Sequence, residues 1–132
     1  MDAHSAVQLT VPAHADSARL ARLMAAAVAA DVGFTLDETE DLRVAVSELV
    51  ALLVEEDHNA VDEVVLTYQR APDTVEVTGR RASAAGDAEI PEAVAPDDLA
   101  LEILRVVVDE HDFTQNALGR HFRLVKRTQT RQ

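Results

Sequence analysis

The chain contains no cysteine and no tryptophan. Disulfide staples and thiolate metal sites are thereby excluded, which suits a reducing compartment. Aromatic residues make up only 3%, so the core has to be built from Val, Leu and Ala with a few Phe. The longest apolar stretches, near residues 23–30 and 49–54, are too short to span a bilayer. Met1–Ser5 shows no basic region followed by an apolar run, which argues against a secretory signal peptide and makes the cytoplasm the expected location. Bases are scarce beside acids, 12 against 24, for a formal charge of −12. Phosphate backbones repel such a chain, so direct DNA or RNA binding is not expected, nor is a membrane.

What remains is sufficient for one globular unit. The 132 residues fit a single domain, and 48% apolar with 27% charged residues is a folded rather than a disordered balance. The charge is uneven. Asp37 to Asp57 carries eight acids and one base, Arg43, whereas Gly119 to the C-terminus carries five bases and no acid. Such segregation gives either two solvated faces or an acidic face for a basic protein partner.

Period and punctuation give the elements. Val7, Leu9 and Val11 alternate with polar residues as a half-buried strand closed by Pro12. A helix follows over about 15–31, with Leu20, Leu23, Met24, Ala27 and Val28 as its apolar stripe, Arg19 and Arg22 beside it, and Gly33 as its stop. Thr35 and Glu38 have capping-box spacing and start a second helix whose core face is Leu42, Ala45, Val46, Leu49 and Leu53; His58–Asn59 is its exit turn. A hairpin comes next, with Val64, Leu66 and Tyr68 opposite Val75 and Val77 across a turn at Ala71–Pro72–Asp73. Residues 79–96, rich in Ala, Gly, Ser and Pro, read as a loop. A third helix over 97–110 is apolar on more than one side, through Leu99, Ile103 and Val106, and is expected to be covered there. Two strands, about 111–116 and 120–127, end the chain. The order predicts an α+β two-layer sandwich, a mixed and mostly antiparallel sheet of about five strands with three helices on one face.

At the second helix the sequence becomes familiar. Asp41-Leu42-Arg43-Val44-Ala45-Val46-Ser47-Glu48-Leu49-Val50-Ala51-Leu52 resembles the N-box helix of the serine-kinase anti-sigma factors, members of the GHKL ATPase superfamily with its Bergerat fold. The opening strand with Val11-Pro12, the helix containing Ala21-Arg22, the run from Leu101 to Glu110 and the closing Gly119 to Lys126 are similar to the family's corresponding elements. Together they cover nearly the whole chain. The resemblance implies binding of an RNA polymerase sigma factor and of a STAS-type anti-anti-sigma factor, ATP and magnesium as family cofactors, and a homodimer through the sheet side. It also implies an arginine contact to the protein partner at Arg22, with Arg19 beside it. Both arginines also read as solvated helix cations.

The family's nucleotide motifs are degraded. Its N-box pairs a Glu with an Asn four residues on, and the Asn oxygen ligates magnesium. Glu48 matches the Glu, as the general-base position or as an ordinary helix carboxylate, but Leu52 stands at the Asn and offers no oxygen to a hard cation. Where the family's Asp-x-Gly-x-Gly holds adenine, Gly79 replaces the Asp and Arg81 the first Gly. Arg81 would crowd the backbone or pair with a phosphate. Where a Gly-x-Gly turn cradles phosphates, the chain has Pro96-Asp97-Asp98-Leu99-Ala100, whose carboxylates repel a triphosphate. The degenerate cofactor positions are thus Leu52, Gly79 and Arg81. The five histidines, His4, His14, His58, His111 and His121, lack ligand spacing, so no metal site is expected. Ser47 has no adjacent base and reads as packing rather than a nucleophile. The expected function is an anti-sigma regulator acting without nucleotide-dependent catalysis. The alternatives are an active serine kinase and a small-molecule sensor using the emptied cavity.

Overall fold

A computed structural model describes residues 5–54, 62–82, 98–116 and 119–129. The elements run β1 (Ala6–Pro12), α1 (Ser17–Val32), α2 (Leu36–Val54), β2 (Glu63–Ala71), β3 (Thr74–Ala82), α3 (Asp98–Val107), β4 (Glu110–Asn116) and β5 (Gly119–Arg127). The five strands form one sheet in the order β1-β2-β3-β5-β4, in keeping with the mostly antiparallel five-stranded sheet expected, and every pairing in it is antiparallel. The hairpin β2–β3 turns through Pro72–Asp73, and β5 returns beside β3 after the excursion through α3 and β4.

One side of the sheet meets the helices. Val64, Leu66, Tyr68, Val75, Val77, Phe122 and Leu124 point to that side and are buried, as strict alternation dictates. Opposite them lie Leu42, Ala45, Val46, Leu49 and Leu53 of α2, all fully buried. The expected core faces of α2, β2 and β3 are therefore the observed ones.

The α1 stripe is rotated from the expected one. Ala21, Ala25 and Ala29 with Val28 face the core, while Leu20 and Leu23 are 44% and 67% exposed. Small residues at four-residue spacing let α1 approach closely, and the Tyr68 hydroxyl donates to the Ala21 carbonyl at 2.8 Å. Burial without a charged partner pushes the Tyr68 phenol well above its ordinary range. Gly33 ends α1 in the left-handed region, at φ 89°, its amide bonded to the Ala29 and Ala30 carbonyls.

The capping box that starts α2 is present. The Thr35 amide donates to Glu38 Oε1 at 2.9 Å, and the Glu38 amide to Thr35 Oγ1 at 3.1 Å. Glu38 does more than cap. Its carboxylate, 8% exposed, also accepts from the Thr128 hydroxyl at 2.8 Å and the Gln129 amide at 2.6 Å, pinning the chain beyond β5 to the head of α2. Burial alone would raise the Glu38 pKa. The amides of Gln129 and Thr35 and the hydroxyls of Thr128 and Thr35 outweigh it and hold the carboxyl below its usual range.

Two expectations change at the edges of the fold. β3 continues through Ala82, so Gly79, Arg80 and Arg81 are strand and not loop. In α3, Leu104 and Val107 are buried, but Leu99 and Val106 are 70% and 79% exposed, so the described residues cover that helix on one side only. The exit turn at 58–59 and the expected loop beyond residue 82 lie outside the described residues. No helix among the described residues is long and apolar enough to cross a membrane.

Candidate functional site

The second helix carries the candidate N-box positions, and four-residue spacing sets Glu48 and Leu52 on adjacent turns of one face. Glu48 is half-buried and makes no side-chain hydrogen bond or ion pair among the described residues. Leu52 turns inward, 7% exposed, as part of the apolar core. The only polar groups it presents are those of its backbone.

Leu52 and Leu53 lie near the end of α2 as described, and their carbonyls accept donors from the sheet. Two arginines from the sheet supply them. Arg81 Nη1 on β3 donates to the Leu53 carbonyl at 2.8 Å, and Arg120 Nη1 on β5 donates to the Leu52 carbonyl at 3.3 Å. Cations also suit the negative end of the helix dipole. Arg81 Nε is bonded in turn to Asp62 Oδ2 at 2.9 Å, with both side chains only 7% exposed. By sequence alone, Arg81 is expected to crowd the backbone or meet a phosphate. The structure gives it a carboxylate and a helix carbonyl instead. Asp62 and Arg120 were not anticipated. Strand parity held the signal: Asp62 lies in phase with Val64 and Leu66, and Arg120 with Phe122 and Leu124, so both had to point inward and find partners.

Gly79 occupies the middle of the same sheet face. Its register partners are Leu66 on β2 and Phe122 on β5. A β-carbon at position 79 would stand 2.5 Å from Phe122 Cε2 and 2.8 Å from Leu66 Cδ2. The glycine is there because the neighbouring side chains fold over it, the ring covering the gap in the strand.

On the outer side of the helices, Arg22 is half-buried and Nη1 donates to Ser47 Oγ at 2.7 Å, joining α1 to α2. Ser47 is thus an acceptor for a guanidinium. Arg19 is exposed one turn earlier. With Leu20 and Leu23 exposed alongside, α1 presents two arginines and two leucines to solvent, and Val44 of α2 is a further exposed apolar side chain. Asp98 opens α3, whereas Pro96 and Asp97 lie outside the described residues.

A two-layer α+β sandwich with an N-box-like helix packed on an antiparallel sheet defines the class: a scaffold of the histidine kinase-like ATPase type. The Histidine kinase-like ATPase domain family matches residues 11–126, nearly the whole chain, and the chain belongs to that family. The resemblance to the serine-kinase anti-sigma factors falls within it. No curated protein matches the sequence. Among solved structures the fold is similar to the crystal structure of the RsbU and RsbW domains of Rv1364c from Mycobacterium tuberculosis, with a TM-score of 0.66 at 18% identity over 93% of this chain. The likeness covers 32% of that longer protein.

Proposed function

We propose that this protein is an anti-sigma regulatory factor that binds an RNA polymerase sigma factor, a STAS-type anti-anti-sigma factor, or both, without using a nucleotide. The family membership and the fold support a partner-switching regulator. The observation that carries the rest is Phe122 over Gly79. The position at which the family keeps its adenine-binding aspartate cannot hold any β-carbon without displacing that ring. Its neighbours argue the same way. Leu52 brings a hydrocarbon to the magnesium-ligand position, and Arg81 is committed to Asp62 and the Leu53 carbonyl. These residues do not fit ATP and magnesium, and phosphoryl transfer depends on such electrostatic positioning. The kinase alternative would need an oxygen ligand where Leu52 stands.

The contact surface in this proposal is α1, with Arg22 and Arg19 flanked by Leu20 and Leu23. A guanidinium can grip a partner carboxylate bidentately, and exposed leucines supply apolar area around it. Ser47 holds Arg22 in place before a partner arrives, which lowers the entropy lost on binding. The outer face of the sheet carries mostly polar and ionic side chains, so we propose that a homodimer through it is weak and salt-dependent. The same reading puts the protein in the cytoplasm with its partners. Affinity capture from the native cell tests it. The wild type should recover a sigma factor or a STAS protein, and Arg22→Glu should lose it while keeping its melting temperature. Failure of the folded wild type to recover either contradicts the proposal.

A further inference from the structure

The antiparallel register lines the outward side chains of the sheet into rows. One row runs Thr10, Val65, Arg80, His121, Thr114 across all five strands. The next contains Thr67, Thr78, Arg123 and Asp112. Between them lies an open groove of about 310 Å³, on the side of the sheet away from the helices.

The charges along this groove are not equally satisfied. Arg123 is paired with Glu76 and, at 3.2 Å, with Glu110; Arg127 is paired with Glu110 at 2.6 Å. Arg80 makes no ion pair or side-chain hydrogen bond among the described residues, and its row contains no carboxylate. Directly opposite it on β5, His121 has Nε2 buried without a hydrogen-bond partner. In a chain with a formal charge of −12, an exposed guanidinium without an ion pair among the described residues is a local reversal of sign. The hydroxyls of Thr78 and Thr114 add donors on either side.

We propose that the groove binds a small oxyanion-bearing compound, its carboxylate or phosphate held by the exposed Arg80 guanidinium and the hydroxyls of Thr78 and Thr114. Asp112, at the other side of His121, sets the polarity: the anionic end lies toward Arg80, and the end near Asp112 carries a hydroxyl or ammonium donor. The volume is at the lower end for small-molecule pockets, which fits a compact metabolite and not a macromolecule. This inference stands apart from the partner-binding surface on the helices, and it shares the outer face of the sheet with the weak homodimer proposed above.

The test is an NMR titration of ¹⁵N-labelled protein with sodium phosphate and, separately, sodium acetate, at ionic strength held constant with sodium chloride. Saturable shifts are expected at residues 78–80, 112–114 and 121–123. The stronger responder of the two salts tells phosphate from carboxylate. Arg80→Gln should weaken binding at least about tenfold, the loss of a charge-assisted fork. Arg80→Lys should lose less, and Arg105→Gln on α3 should change nothing. Shifts that rise linearly without saturation for both salts, or equal affinity in Arg80→Gln, overturn the proposal. So does a change in sedimenting mass on Arg80→Gln with oxyanion affinity intact, which would give this face to a second copy of the chain.

Discussion

Phe122 lies across Gly79 so closely that a methyl group at position 79 would overlap its ring, 2.5 Å from Cε2 and 2.6 Å from Cζ. Backbone and aromatic ring together make a tight joint between β3 and β5. In the function proposed above, the joint stands where nucleotide-using relatives need a carboxylate.

That joint sets the first expectation. Gly79→Ala should destabilise the fold by about 1–3 kcal/mol through overpacking, and Gly79→Asp by more, since a carboxylate would be driven into the core. Phe122→Leu should relieve part of the Gly79→Ala penalty. Denaturant unfolding of the two single variants and the double variant measures the coupling. Strict additivity would show that the ring is not the obstacle.

The buried Arg81–Asp62 pair sets the second. Arg81→Met should cost about 3–5 kcal/mol, because the Asp62 charge loses its buried ion-pair partner, and Asp62→Leu should cost less, because Arg81 keeps the Leu53 carbonyl. The double variant should recover a large share of that loss. Equal, additive losses in an unfolding cycle would mean that the two side chains act separately.

Glu38 makes stability depend on acid. Its folded pKa is lowered, so its contribution is fully present above the unfolded carboxyl value, about 4.3. That contribution is lost as pH falls through the still lower folded value. Glu38→Gln should cost about 1–3 kcal/mol at pH 7. The gap between wild type and variant should close on acidification. Melts from pH 7 down to pH 3 follow it; a gap that is constant with pH contradicts the assignment.

Much of this fold is legible in the sequence because its pattern is regular. The alternation in β2, β3 and β5 and the stripe Leu42, Ala45, Val46, Leu49, Leu53 each point one way, and the structure buries them together. The capping box at Thr35 and Glu38 is a local device and needs no tertiary knowledge. α1 misleads because hydrophobicity and closeness compete. Leucine is the more apolar residue, but alanine allows the helix axis to approach the sheet, so Ala21, Ala25 and Ala29 take the core while Leu20 and Leu23 stay in water. β3 runs past its expected end because Gly79, Arg80 and Arg81 lack β-formers, and pairing with β2 and β5 carries the strand onward. At the candidate site, the substitutions at Leu52, Gly79 and Arg81 are visible one by one. Their replacements' partners are not, since Asp62, Phe122 and Arg120 come to them from distant elements.

Calorimetric titration of the purified protein with magnesium-ADP puts the proposed loss of nucleotide use to the most direct test. Leu52, the Gly79–Phe122 joint and the committed Arg81 predict no saturable heat up to millimolar ligand. A stoichiometric isotherm of micromolar affinity, abolished by chelating the magnesium, would contradict the account.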